Sequence, residues 1–216
     1  NRCRRQRQMC IRDSIKSMSR YCPQCSKALK ACICQWVTPL ESNVELIILQ
    51  HPSEEHRPMG TARILSLSLN NSVTLVGEDF SDNEQLNALL ANEHYQHVIL
   101  YPSENSVSVE SVTCPNKKLR VILLDGTWKK AFKMWQVSSN LHALSTVHLP
   151  KDLKGNYRIR KAPSENSLST VEAGYHLLSL LEDDVDFSPL LTAFDQMIQF
   201  QINQMPPGVF EKNYLD

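Results

Sequence analysis

The sequence predicts an α/β domain on a mostly parallel sheet of about five strands, with a small cysteine-bearing segment in front of it. Three observations carry this. Segments 44–49 and 119–124 are nearly continuous apolar runs, which suits strands covered on both faces. Between the β-rich runs lie stretches with helical spacing, and a β-α-β-α order implies a parallel sheet with helices packed on it. Ahead of position 40, four cysteines crowd into thirteen residues that are too few to build a core of their own.

The strands are expected at 44–49, 73–76, 97–101, 119–124 and 146–149, and the helices at roughly 60–69, 82–93, 127–139, 168–182 and 188–204. Segment 103–116 is polar and rich in Ser and Val, and reads as a loop or irregular excursion. The division expected is 1–40 for a basic N-terminal segment with the cysteines, and 41–216 for the α/β domain. With 42% hydrophobic and 21% charged residues the composition is that of an ordinary globular chain, which excludes wholesale disorder. No apolar run approaches the roughly 20 residues of a membrane helix. The basic N-terminus is not followed by an apolar signal-peptide core, so the expectation is a cytoplasmic protein with no membrane partner.

The formal net charge of zero hides an asymmetry: residues 1–40 hold nine Lys/Arg and one Asp, while the remainder holds fourteen Lys/Arg and twenty-two Asp/Glu. A basic head on an acidic body points to a local contact with a polyanion, and equally to a solubilising tail. Arg2, Arg4, Arg5, Arg7, Arg12, Lys16 and Arg20 are the cations of that head.

Of seven cysteines, Cys22-Pro-Gln-Cys25 and Cys32-Ile-Cys34 form two close pairs six residues apart. Two thiolates at CxxC spacing reach one ion from a tight turn, and a second close pair completes a tetrahedron. A thioredoxin-like redox pair would want a βαβ setting, and an odd cysteine count argues against a closed disulfide framework. Cys22, Cys25, Cys32 and Cys34 therefore read as a closed, structural zinc site. Cys10 is a competing ligand and Cys114 a lone thiol.

In parallel sheets ligands sit beyond the carboxyl ends of the strands, so the loops to inspect follow residues 49, 101, 124 and 149. With six glycines and no GxGxxG or P-loop pattern, a conventional phosphate cradle is not indicated. The loop after the fourth strand reads Asp125-Gly-Thr127-Trp128, followed by Ala131, Phe132 and Trp135 at spacings that give one apolar face. Its plain reading is a capped amphipathic helix with Asp125 or Thr127 as N-cap and Trp128 in the core, the reading favoured for that ring over stacking on a base. Its chemical reading puts Asp125 in a site. The loop after the first strand brings together His51, Glu54, Glu55, His56 and Arg57, with Thr61 able to cap the next helix. Arg158 and Arg160 suit bidentate grips on carboxylate or phosphate. Glu172, three residues after Ser169, has the look of a capping box.

Taken in order, the four cysteines, His51-Pro52 with Arg57 and Thr61-Ala62, Asp125-Gly-Thr-Trp128, and Arg160-Lys161 with Ser169-Thr170-Val-Glu172-Ala resemble the DTW-domain family of tRNA-uridine aminocarboxypropyltransferases, over about residues 20–180. The resemblance implies a fold related to the knotted SPOUT-type RNA methyltransferases, tRNA as partner, and S-adenosylmethionine as co-substrate. The implied reaction moves the 3-amino-3-carboxypropyl group to N3 of a uridine and releases 5′-methylthioadenosine. It puts Asp125, Thr127 and Trp128 at the reaction centre, with Asp125 as proton acceptor, uracil-orienting group or holder of the donor's ammonium. His51, Arg57, Thr61, Arg158, Arg160 and Glu172 become candidates for the donor, the arginines alternatively for tRNA phosphates. Two alternatives stay beside it: a methyltransferase of the knotted type using the same donor, and a zinc-containing RNA-binding protein without catalysis. The tRNA species, the uridine position and the oligomeric state stay open.

Overall fold

The structure, a computed structural model, describes residues 20–153, 155–159 and 168–214. Strands β1 (Glu45–Gln50), β2 (Ser72–Val76), β3 (Tyr95–Leu100), β4 (Val107–Ser108), β5 (Lys118–Asp125) and β6 (Ser145–His148) form one six-stranded sheet in the order β2-β1-β5-β3-β6-β4, parallel throughout. Helices α1 (Ala62–Ser68), α2 (Glu84–Leu90), α3 (Trp128–Val137), α4 (Thr170–Leu181), α5 (Ser188–Asn203) and α6 (Val209–Tyr214) complete the fold. Five strands and five helices lie where the sequence predicts them. The sixth strand is a two-residue addition inside the segment read as an excursion, pairing Val107 with Val147.

Alternation along the central strands sorts the core into two layers. Leu46, Ile48, Val121 and Leu123 face α1, α4 and α5, while Ile47, Leu49 and Ile122 face α2 and α3. Both faces are covered, which is why β1 and β5 carry apolar residues at successive positions. The burial pattern of β1 runs unbroken from Leu46 to Gln50.

The helix after β1 packs on the first face, and the helix after β5, its neighbour in the sheet, packs on the second. Adjacent strands whose connections leave toward opposite faces open a crevice at their carboxyl ends. The last register pair at that point is Gln50 with Asp125.

Local chemistry fixes the helix starts. Asn83 accepts from the Leu86 amide at 2.8 Å to cap α2. Ser169 and Glu172 form a reciprocal capping box on α4. Thr61 and Thr127 stand at the N-cap positions of α1 and α3, yet neither side chain makes the capping bond. Residues 20–40 fold as a compact knuckle: Cys22, Cys25 and Ile33 join the first core layer, Trp36 meets Phe200 of α5 at 5.8 Å, and Leu40 bridges to Leu69. Among the described residues, no helix is long and apolar enough to cross a membrane.

Candidate active site and metal centre

Asp125 ends β5 with only 6% of its surface exposed. Gln50 Nε2, at the end of β1, donates to its Oδ2 at 2.7 Å, and the Thr170 hydroxyl, in the first turn of α4, donates to its Oδ1 at 2.5 Å. The carboxylate is thus gripped by a strand neighbour on one side and a helix N-terminus on the other. A negative group is also favoured at that helix end by the backbone dipoles.

Beside it, at the carboxyl ends of β3, β5 and β6, opens a cavity of about 380 Å³. That size lies in the range of small-molecule sites. Its walls are chiefly apolar: Leu100, Leu123, Leu124, Leu149, Leu153, Leu168 and Ala173. Tyr101 and Trp128 add rings, and His148, Lys151, Ser169 and Thr170 add polar groups. Thr170 therefore belongs both to the cavity wall and to the grip on Asp125. Burial pushes the Tyr101 phenol up, so its hydroxyl stays protonated.

The structure distributes the predicted site residues unevenly. Asp125 and Trp128 come to this crevice, with Thr127 between them as the first residue before α3. Trp128 is not core: it is 54% exposed, as is Phe132 at 55%, because α3 turns Ala131 and Met134 to the sheet instead. His51 lies toward α3 and away from the cavity. Its Nε2 meets Glu78 at 3.1 Å and its Nδ1 meets the Ser53 hydroxyl at 2.9 Å. Lys133 pairs with the same Glu78 at 2.9 Å, and first this ammonium and then His51 hold the Glu78 carboxyl below its ordinary range. Arg57 is exposed and paired with Glu54 at 3.2 Å, and Glu54 also takes Lys130 at 2.7 Å. Thr61 is buried at the start of α1, and Arg158 is exposed with a guanidinium nitrogen 3.5 Å from Gln199. Arg160 lies outside the described residues.

Glu172 is buried, and its carboxylate accepts from the Ser169 amide and hydroxyl at 2.7 and 2.6 Å and from the Asn156 amide at 2.5 Å. It ties segment 155–159 to the start of α4 and so shapes the cavity without lining it. Gln50 and Thr170 were not singled out as functional side chains. A polar residue closing an apolar strand was the available signal for Gln50, but only strand adjacency reveals its partner.

The four cysteines of the knuckle have all their sulfurs within 4.8 Å of one another. Cys22 to Cys34 measures 3.7 Å and Cys25 to Cys32 measures 3.8 Å. A tetrahedron with Zn–S near 2.3 Å has an edge of about 3.8 Å, so the spacing fits a tetrathiolate metal site and is far from a disulfide bond. The backbone amides of Cys25 and Gln24 pull the Cys22 thiol down to about 6, while burial and the neighbouring sulfurs push Cys34 up. Four thiolates at this distance would repel one another and would need a shared cation. Lys27, two residues on, is buried and donates to the Pro58 carbonyl at 2.6 Å and the Gly60 carbonyl at 3.3 Å; burial lowers its ammonium to about 8.

These residues sit on a parallel α/β sheet, with the crevice at the strands' carboxyl ends and the four-cysteine knuckle packed on its first core layer. Residues 19–202 match the family model described as the DTW domain, and the chain belongs to that family. It is 29% identical over 201 residues to tRNA-uridine aminocarboxypropyltransferase 2 of Mus musculus, covering 90% of this chain and 67% of the relative. It is 33% identical over 168 residues to the Drosophila melanogaster protein of the same name, covering 74% and 66%. With tRNA-uridine aminocarboxypropyltransferase A of Arabidopsis thaliana it shares 25% identity over 240 residues, 95% of this chain and 90% of the relative. The chain thus spans about two thirds of the length of these animal relatives. No solved structure matches it.

Proposed function

We propose that this protein is a tRNA-uridine aminocarboxypropyltransferase: S-adenosylmethionine occupies the apolar cavity, and its 3-amino-3-carboxypropyl group passes to N3 of a uridine in tRNA. The observation that carries the reading is the clamped Asp125 carboxylate at the edge of that cavity. The names of the relatives support the substrate and the group transferred. The donor supplies an electrophilic carbon beside a sulfonium. The cavity's apolar walls suit its adenine and exclude water, and the polar rim of His148, Lys151 and Ser169 suits its ribose or amino-acid end.

In this reaction the N3–H bond of uridine breaks and its proton passes to Asp125. N3 attacks the γ-carbon, and the carbon–sulfur bond breaks with its electron pair going to sulfur. That neutralises the sulfonium and leaves 5′-methylthioadenosine. Gln50 and Thr170 fix the carboxylate so that no reorientation is needed as the proton moves, and such orientation contributes several kcal/mol. Cys22, Cys25, Cys32 and Cys34 would hold zinc, and with all four positions taken by sulfur it would have none open for chemistry and would serve to fold the knuckle.

The test is mass spectrometry of purified protein with bulk tRNA and S-adenosylmethionine. Aminocarboxypropyl-uridine with methylthioadenosine is the expected result. Methylated nucleoside with S-adenosylhomocysteine would instead make the protein a methyltransferase.

A further inference from the structure

The exposed face of α3 is at odds with an ordinary surface helix. Trp128 and Phe132 sit one turn apart with more than half of each ring in water, at 54% and 55% exposure. Trp135, on the same helix, is by contrast stacked on Tyr101 with centroids 4.8 Å apart. Folding α3 onto the sheet needs only Ala131, Met134 and Trp135. The two outer rings add nothing to that docking, and large rings in water carry a solubility cost.

Beside them runs a second row. Lys129 and Lys133 are also one turn apart, each following a ring residue by one position, and both are exposed. Lys133 shares Glu78 with His51 yet keeps 60% of its side chain in solvent. A row of rings flanked by a row of ammonium groups suits a strand that presents bases on one side and phosphates on the other. The inner end of the ring row, Trp128, lines the cavity next to Gly126, so the row leads directly to Asp125. A protein partner or a second copy would leave the lysines beside a desolvated apolar patch, which interface cores avoid.

The spacing narrows the substrate. Residues four apart on a helix are displaced by about 6 Å along its axis. Stacked bases in a duplex are about 3.4 Å apart along one strand. Rings at the wider spacing receive bases that have been splayed out of the stack, as in single-stranded loops.

Resting on the aminocarboxypropyltransferase reading, we infer that Trp128 and Phe132 form a stacking platform for two consecutive unstacked bases of the RNA, the one on Trp128 at the mouth of the reaction cavity. Phe132 is then a positioning residue that holds the base next to the one on Trp128.

The experiment follows tryptophan emission and binding of the full chain with three probes: bulk tRNA, a single-stranded oligouridylate, and a blunt RNA duplex. Bulk tRNA and the oligouridylate quench emission, and the duplex does so weakly. Trp128→Phe removes most of the quench while retaining most of the affinity, leaving the signals of Trp36 and Trp135. Phe132→Ala weakens binding of tRNA and oligouridylate by about 5- to 150-fold. Phe132→Tyr restores it. The thermal shift produced by S-adenosylmethionine is the same in Phe132→Ala as in wild type, because Phe132 does not line the cavity. Wild-type affinity in a Trp128→Ala, Phe132→Ala double variant overturns the inference, as does duplex binding equal to single-strand binding. So does self-association that Phe132→Ala abolishes, which would make this face a contact between copies. If the chemistry assigned above fails instead, product is missing while the quench and the Phe132 effect persist.

Discussion

Replacing Asp125 by Asn separates chemistry from architecture, because the surroundings accommodate the change. The carboxylate accepts from Gln50 Nε2 on one oxygen and from the Thr170 hydroxyl on the other. An amide placed with its oxygen toward Gln50 keeps the first bond. Its NH2 group then faces the Thr170 oxygen, and a hydroxyl rotates to accept where it previously donated. Hydrogen bonds to a charged group contribute about 1.5–3 kcal/mol and neutral ones about 0.5–1.5 kcal/mol, so two weakened bonds cost about 2–3 kcal/mol. The lower desolvation penalty of a buried amide offsets part of that. At roughly 2–4 °C per kcal/mol for a chain of this size, Tm falls by less than about 10 °C and the protein stays folded at room temperature. Loss of a positioned proton acceptor lowers turnover by about 10²–10⁴. The assay is the initial rate of aminocarboxypropyl-uridine formation at saturating donor and tRNA, with Tm measured on the same sample. A rate within about fivefold of wild type, with the fold intact, would refute the assignment of Asp125 as proton acceptor.

Three further outcomes follow from the fold. The purified chain carries one zinc ion by atomic emission, Cys25→Ser loses it together with much of the thermal stability, and Cys114→Ser keeps it; retention of the metal in Cys25→Ser would sink the tetrathiolate site. In Gly174→Ala the new Cβ meets Leu65 Cδ2 at 2.7 Å and Cδ1 at 2.8 Å, where α4 packs on α1. Overpacking by about 1–3 kcal/mol outweighs the roughly 1 kcal/mol gained in helix propensity, so Tm drops, whereas a Tm above wild type would mean that Leu65 repacks freely. Burial lowers His97 and His176 below their ordinary 6.5. Between that lowered value and 6.5 the unfolded chain binds more protons, so stability is full above 6.5 and is lost as pH falls through that window. A Tm profile from pH 7 to about 5.5 slopes downward on the acid side, and the slope lessens in a His97→Gln, His176→Gln double variant; a profile unchanged by both substitutions would assign the slope elsewhere.

The strands were legible because burial on both faces writes itself directly into composition: Leu46 to Leu49 and Val121 to Leu124 are apolar at every position. Strand order was not, since the placement of β5 between β1 and β3 depends on how the crossovers pack. The two residues of β4 are too few to show any period. On α3 the pattern of rings pointed to one apolar stripe, but two overlapping stripes satisfy it. Docking against Ile122 and Leu49 selected the one through Ala131 and Met134, which leaves Trp128 and Phe132 outside. The charged loop after β1 is legible as a mouth of the sheet, yet its polar groups are engaged locally: Arg57 with Glu54, and His51 with Glu78 and Ser53. Sequence shows that such charges are near one another. It does not show which of them neutralise each other.

The cysteine knuckle and the Asp125 carboxylate are linked through that same loop. Gln50, which holds Asp125, is the last residue of β1, and the chain then runs through residues 51–61 before α1 begins. Successive turns shape this loop, with the Glu54 amide donating to the His51 carbonyl at 2.8 Å and the Gly60 amide to the Arg57 carbonyl at 3.0 Å, and its far end is also held by anchors from outside. Lys27 supplies one by donating to Pro58 and Gly60, and Tyr157 supplies another by donating from its hydroxyl to the Met59 carbonyl at 3.0 Å. Lys27 is placed by the turn between Cys22 and the Cys32 pair, which is closed by the Cys22 amide donating to the Lys27 carbonyl at 2.8 Å and the Ser26 amide to the Cys22 carbonyl at 2.9 Å. Segment 155–159, which carries Tyr157, is in turn pinned by Glu172 at the start of α4, next to the Thr170 that completes the grip on Asp125. The knuckle and the segment pinned by the α4 cap therefore hold the same end of one loop, at Pro58, Met59 and Gly60. Each is thereby joined to Asp125 through that carboxylate's own hydrogen-bonding neighbours, the knuckle by way of the loop that follows Gln50 and the cap by way of Thr170.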